Sequence, residues 1–346
     1  MAIYRLPATL LILGALALLA GACGDGGGDS NTQATPTVLD RIAFGARAPD
    51  GQYGLYIIAP DSSGLEKLSD EQGFVFFPRF SPAGDRIAYI VTDDAAAQPG
   101  ALRVYDMTTR AATTLSDGAL ASVDGPAFSW SPDGTRLAFT NDDGQLRVVE
   151  LDSGAFAELP NIKGTVPAWS PSADQVAVVA PDGVEVTLVK PDDGEQNTFF
   201  QSNEQVTSII WSPSNDRIAI AIASGDEPPV KTVLVLDGAA KNVLTLANAS
   251  DIAWSRSGER IAYSAPSPGQ PGNSEIYVAT ADEAGDPLTA TVTVERWPSW
   301  SPNGDRIVYV SEVDQRTALL CSAQFEPPER NCLDLGDLLP GAPDWG

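Results

Sequence analysis

The sequence predicts an all-β fold, a single seven-bladed β-propeller of four-stranded blades. Three observations carry that expectation: a ten-residue motif repeats down the chain, its copies lie 39 to 50 residues apart, and one further copy is split between the two chain ends. The motif is an aromatic residue, Ser-Pro, two turn residues and a short apolar strand. It reads Phe80-Ser-Pro-Ala-Gly-Asp-Arg-Ile-Ala-Tyr89, Trp130-Ser-Pro-Asp-Gly-Thr-Arg-Leu-Ala-Phe139, Trp169-Ser-Pro-Ser-Ala-Asp-Gln-Val-Ala-Val178 and Trp211-Ser-Pro-Ser-Asn-Asp-Arg-Ile-Ala-Ile220. Two more copies are Trp254-Ser-Arg-Ser-Gly-Glu-Arg-Ile-Ala-Tyr263 and Trp300-Ser-Pro-Asn-Gly-Asp-Arg-Ile-Val-Tyr309. Asp40-Arg41-Ile42-Ala43-Phe44 is the back half alone, and Pro343-Asp344-Trp345 the front half alone.

Such a split is expected of a ring closed by pairing the C-terminal strand with the N-terminal ones. Periods of about 40–50 residues in an all-strand chain indicate propeller blades. Each period parses into four strands. Between Arg86 and Arg136 these are Arg86 to Val91, Ala101 to Met107, Ala112 to Leu115, and Ala127 to Trp130 as strand a of the next blade. Seven front halves and seven back halves give seven blades; one poorly formed blade would leave six and an extension.

The motif has a physical logic. Pro sets φ for the second position of a type I turn, and Gly or Asn tolerates the positive φ that follows. In Ile-Ala-Tyr the large residues share one strand face and Ala takes the other. Six of the seven copies keep Ala there, which lets the adjacent blade come close. The Trp or Phe ending strand a has ~150–250 Å² to bury, worth roughly 4–6 kcal/mol of gross transfer free energy.

These repeats resemble the WD40-like repeat of the TolB and dipeptidyl-peptidase propeller families, over residues 40 to 345. The Gly-His and Trp-Asp pairs of the true WD40 signature are missing. The TolB family carries an α/β domain before its propeller, and the peptidases an α/β-hydrolase domain after it. The first is not expected here, since about 16 residues separate Cys23 from the first strand, and the second is not expected either.

The apolar run Leu6 to Ala22, after Arg5, is read as a signal peptide over residues 1–22. It ends in Leu19-Ala20-Gly21-Ala22-Cys23, which resembles the lipobox of bacterial lipoproteins, with Ala20 where that family prefers Leu. The resemblance implies lipidation of Cys23 and an anchor on the outer face of the cytoplasmic membrane or on the outer membrane. Residues 23–38 are then a lipidated cysteine and flexible tether, rich in Gly, Asp, Ser and Thr, and 39–346 the propeller.

Without residues 1–22 the chain has 20 basic and 46 acidic residues, a net charge of −26. Nucleic acid and bare anionic membrane are poor partners for such a surface, so membrane contact is expected through the anchor alone. The chain has no histidine, which removes Ser-His-Asp and Cys-His machinery and the commonest transition-metal ligand. No cofactor, metal or catalytic residue is expected, and the propeller is expected to be a monomer.

Asp142 to Gly144 and Asp192 to Gly194 lack the alternating acids of an EF-hand loop and read as hairpin turns. Asp85, Asp216 and Asp305 precede motif Arg or follow motif Gly or Asn at regular spacing, as turn-stabilising acids would. Cys321 and Cys332 fall on neighbouring strands of the last blade, and an oxidising compartment would pair them as a disulfide.

The a–b turns are nearly uniform, whereas the connections at the opposite end differ. Thr92 to Gly100, Ser224 to Pro229 and Ser264 to Ser274 are long b–c loops. Variable loops on a rigid frame are the usual place for binding. The candidate rim is Asp93, Asp94, Asp226 and Glu227, together with Phe77 and Trp297, which share one frame position at the entry to strand a, close to the central channel, where core packing is expected ahead of stacking on a sugar or peptide. The function expected is a non-enzymatic cell-envelope binding module engaging a protein or envelope polymer by this rim. The alternatives are a glycosidase or lyase using two carboxylates in the channel, which would lie about 5–9 Å apart, and a sensor or accessory domain for a separately encoded partner.

Overall fold

A computed structural model describes residues 40–93, 99–120, 125–157, 159, 162–172, 174–213, 217–225, 229–270, 272–314, 316–325 and 329–346, within one compact unit from Val38 to Gly346. Cys23, the leader and the tether lie outside the described residues.

The first sheet holds β1 (Ile42–Arg47), β2 (Tyr53–Ile58) and β3 (Glu66–Glu71). The second holds β4 (Phe74–Phe80), β5 (Arg86–Thr92), β6 (Gly100–Asp106) and β7 (Ala111–Ala119); the third, β8 (Phe128–Trp130), β9 (Arg136–Thr140) and β10 (Leu146–Glu150). A fourth is β11 (Thr165–Trp169), β12 (Val176–Val179), β13 (Glu185–Val189) and β14 (Gln196–Gln201), and a fifth β15 (Gln205–Trp211), β16 (Ile218–Ser224), β17 (Val230–Leu236) and β18 (Asn242–Ala247). Then come β19 (Ser250–Trp254), β20 (Arg260–Pro266) and β21 (Ser274–Thr280), followed by β22 (Val294–Trp300), β23 (Arg306–Asp314), β24 (Thr317–Gln324) and β25 (Glu329–Cys332). One parallel bridge, Ser274 with Val294, joins these last two groups into a single sheet. β26 (Leu339–Trp345) returns to the first sheet, in the order β26-β1-β2-β3. There is no helix among the described residues.

The expected closure is present: β26 runs antiparallel to β1, with Ile42 opposite Trp345 and Ala43 opposite Asp344. Within each sheet neighbouring strands follow one another in the chain, as a propeller requires.

The expectation of four strands in every blade needs correction in two places. The β8–β10 sheet has three strands, its fourth reduced to the bridge Val149 with Phe156. Outside β21 the fourth strand is likewise reduced to the bridge Tyr277 with Pro287. Pro287 has no N–H to extend a ladder. Before it, Gly285 lies so close to β21 that an added Cβ would sit 1.4 Å from the Val278 carbonyl oxygen.

The turns form as the motif dictates. In the second sheet the Ser81 amide donates to the Arg86 carbonyl (2.8 Å), and the Gly84 amide to the Ser81 carbonyl (2.8 Å), with Gly84 at φ 74°. The Ser hydroxyl accepts from the motif Arg amide in four copies: Arg86 to Ser81, Arg136 to Ser131, Arg260 to Ser255 and Arg306 to Ser301. Asp85 and Asp305 in turn accept from Ser81 and Ser301; Asp216 lies outside the described residues. The hydrogen bond from Ser131 holds the Asp133 carboxyl below its usual range. Gly144 and Gly194 sit at φ 75° and 73°, in hairpin turns.

Each motif strand is core. Ala43, Ala88, Ala138, Ala177, Ala219, Ala262 and Val308 are all fully buried. The motif Arg reaches outward to the next sheet. Arg86 pairs with Asp152 (3.1 Å), and Arg136 with Asp174 (2.8 Å) and Asp192 (3.1 Å). Exposed pairs of this kind contribute little singly, yet they explain why the motif keeps a cation after its acid.

Candidate functional site

The innermost strands are β26, β4, β8, β11, β15, β19 and β22, and a hydrogen bond links each to the next around the whole circuit. Four are Trp Nε1–H donations to the carbonyl just before the preceding aromatic: Trp130 to Arg79 (3.2 Å), Trp211 to Ala168 (3.1 Å), Trp254 to Ile210 (3.2 Å) and Trp300 to Ala253 (3.0 Å). The other three use the aromatic's own amide, from Trp169 to Ser129 Oγ (2.9 Å), Trp345 to Ser299 Oγ (3.1 Å) and Phe80 to Asp344 Oδ2 (2.8 Å).

This belt surrounds a concavity of about 520 Å³ at the Ser-Pro end of the channel. Further along, six of the seven innermost strands, all but β8, carry a bulge. Phe77, Val166, Asp251 and Trp297, each three residues before its aromatic, have φ of 39°, 50°, 51° and 53°. Strain of 1–3 kcal/mol per residue is typical of such a backbone. Phe77 and Trp297 meet each other edge to face at 6.2 Å, and Phe77 is buried. They are packing partners between β4 and β22, because the bulge turns both rings inward from strands that flank β26.

A second concavity, about 570 Å³, opens at the opposite end, where the b–c and d–a connections lie. Ser267, Pro268 and Gln270 of the expected loop Ser264 to Ser274 form one wall; Glu275 and Tyr277 of β21, Ser311 of β23 and Arg330 of β25 form others. The segment Thr289 to Thr293 crosses between β21 and β22. Its three Thr hydroxyls all donate to buried carboxylates. Thr289 donates to Glu275 Oε2 (2.6 Å), while Thr291 and Thr293 both donate to Glu295 Oε1 (2.7 Å each). Glu275 Oε1 also accepts from the Thr291 amide (2.8 Å), and Glu295 Oε1 from the Ser311 hydroxyl (3.2 Å). Both carboxylates are buried, at 2% and 0% exposure.

Arg330 stands beside them, donating to the Tyr309 hydroxyl (2.8 Å) and Ser311 Oγ (3.1 Å), with Nη2 3.8 Å from Glu295 Oε1. Burial, and then the Glu295 charge, pushes the Tyr309 phenol well above its usual range. Arg330 is on the short strand β25, where Cys332 lies opposite Cys321 in register and is joined to it as a disulfide.

Of the remaining rim candidates, Asp93 is exposed, and Asp94, Asp226 and Glu227 lie outside the described residues. Sequence reasoning missed Glu275, Glu295 and Arg330. The available signal was an acid inside an apolar strand, Ser-Glu-Ile-Tyr-Val, followed by the alternation Thr-Ala-Thr-Val-Thr. No group of three or more His, Cys, Asp or Glu side chains able to hold a metal occurs among the described residues.

Several known proteins are similar to this chain. It is 26% identical over 152 residues to the uncharacterized peptidase YuxL of Bacillus subtilis (strain 168), a match spanning 41% of this chain and 22% of that relative's length. TolB from Acinetobacter baumannii superposes with a TM-score of 0.54 at 17% identity, over 89% of this chain and 67% of that one. Oligogalacturonate lyase in complex with manganese gives 0.59 at 14% identity, over 84% and 83%. The propeller domain of the Trilobed protease from Pyrococcus furiosus gives 0.61 at 12%, over 86% and 93%. That domain has an open velcro topology, whereas β26 here pairs with β1. The model of the TolB beta propeller domain matches residues 85–324, and the chain belongs to that family.

Proposed function

We propose that this chain is a non-enzymatic binding module of the bacterial cell envelope, a seven-bladed propeller that engages a protein or envelope polymer through its loop-rich rim. The observation that carries this reading is the concavity of about 570 Å³ on that rim, which has an exposed apolar lip. Val292, Val313 and Leu319, at 89%, 49% and 38% exposure, all border it. Clustered apolar exposure beside a concavity marks an interaction site. The seven inter-strand bonds of the aromatic belt support the blade count.

Shortening Ser267 to Asn273 to a two-residue turn is expected to abolish capture of the partner from detergent-solubilised envelope, while substitutions of Asp133 or Asn303 on the Ser-Pro face leave capture intact. The reverse pattern would overturn the assignment. A second reading, a carboxylate-dependent glycosidase or lyase, takes its support from the nearness of Glu275 and Glu295, which both accept from Thr291. Against it, the Thr291 amide and hydroxyl lie between the two carboxylates, where a glycosidase pair would have to flank the scissile bond. Turnover of oligogalacturonate or cell-wall glycan that disappears in Glu275→Gln would establish that reading instead.

Export and lipidation at Cys23 complete the proposal. Cys23→Ser is expected to move the protein from the membrane to the soluble fraction with its thermal midpoint unchanged. A variant that still resists alkaline extraction would refute the anchor.

A further inference from the structure

Glu71 supplies the comparison. It is as buried as Glu275, and its two oxygens are matched by Tyr89, Ser69 and the guanidinium of Arg103. That cluster is closed: carboxylate, cation and donors are all supplied by the chain. The cluster at the rim is not.

Glu275 takes part in no ion pair among the described residues, although it is 2% exposed and borders the cavity. Glu295 Oε2 is buried with no donor, and so is Asn273 Oδ1, whose amide nitrogen donates to Thr291 O (2.9 Å), Gln270 Oε1 (3.1 Å) and, at 3.5 Å, Glu275 Oε1. Both unmatched atoms are acceptors. Among the described residues a single cation, Arg330, faces the two carboxylates, and its ion pair there is with Glu295. Leaving a buried carboxylate without a cation is costly, by several kcal/mol after relaxation. The cluster whose Glu275 borders the rim cavity is therefore short of one positive charge, which is what an ammonium or guanidinium brings.

We infer that this cavity receives the basic side chain, arginine or lysine, of a protein partner, against Glu275 with Glu295 behind the hydroxyl wall, while flanking apolar residues of the partner rest on Val292, Val313 and Leu319. This rests on the binding-module reading and names its ligand. The lip favours a peptide over a cationic sugar, because three exposed aliphatic side chains give a polymer of hydroxyls nothing to bury. The formal charge of −25 raises the local concentration of a basic partner and makes association salt-dependent.

The test titrates the full chain with acetyl-Leu-Arg-Leu-amide and with its citrulline counterpart, which keeps the shape and loses the charge. The arginine peptide is expected to bind at least about tenfold more tightly. Glu275→Gln is expected to erase that preference, and Val292→Ser to weaken both peptides alike. Should Glu275→Gln fail to fold, the methyl resonances of Val292, Val313 and Leu319 in the unaltered chain serve instead, shifting with the arginine peptide at concentrations where citrulline has no effect. Equal affinity for the two peptides, a preference that survives in folded Glu275→Gln, or a response only to glucosamine oligomers would each overturn the inference. If the loop-shortened variant nevertheless loses its envelope partner, the ligand class falls and the binding module stands.

Discussion

Removing Gly341 to Gly346 is expected to unfold most of the domain's cooperative structure, whereas removing six tether residues, 24–29, leaves the thermal midpoint unchanged. The truncated segment contains Trp345, 6% exposed, whose Nε1–H donates to Asp40 (2.6 Å) and whose amide donates to Ser299. It also contains Asp344, which accepts from the Phe80 amide and lies 3.6 Å from Arg79. Loss of the Trp side chain alone costs about 3–5 kcal/mol. Against a total stability of about 5–15 kcal/mol this is a large share. The truncation also exposes the free edge of β1 and of the β22 side of the ring. A fall in the midpoint on the order of 10 °C or more follows. Equal midpoints for the two deletions, measured by calorimetry, would show that β26 does not close the ring.

Trp300→Ala is expected to destabilise by about 3–5 kcal/mol, and Trp300→Phe by about 1 kcal/mol. Trp300 is 5% exposed, stacks on Phe325 at 5.4 Å and donates to the Ala253 carbonyl. Phe keeps the six-membered ring and loses the five-membered half of the indole with its donor, a volume loss that Trp169→Phe shares. Trp169 is the internal control, since its Nε1–H is buried without an acceptor and its ring lies under the Arg136 guanidinium at 4.6 Å. Removing an unsatisfied donor costs little, so Trp169→Phe should cost less than Trp300→Phe. Urea unfolding of the three variants measures the order directly.

The frame was legible because each motif residue answers a local demand. Pro and Gly set the turn, Ala makes room, and the aromatic fills the gap between sheets; each of these follows from residue type and spacing. The split copy at the chain ends announced the pairing of β26 with β1. The partners of the motif Arg were not legible, since Asp152, Asp174 and Asp192 belong to other repeats and are joined to it only by the ring. The same holds for the rim cluster. Glu275 and Glu295 are 20 residues apart in sequence and are linked because the Thr289 to Thr293 segment, crossing between β21 and β22, donates to both. A repeat motif describes what the blades share, and the cavity arises where one of them departs from it. For Phe77 and Trp297 the shared frame position was legible, but the bulge at that position, which lets the two rings meet, has no signature in residue type.

Amide hydrogen exchange at the ring closure tests the central claim most directly, because it compares β26 with the interior of the same molecule. The Trp345 and Gly346 amides, bonded to Ser299 Oγ and the Arg41 carbonyl, are predicted to exchange as slowly as those of Ile307 to Tyr309 at the centre of β23, in a single global opening event. Rapid exchange of those two amides beside a protected β23 would contradict a closed propeller.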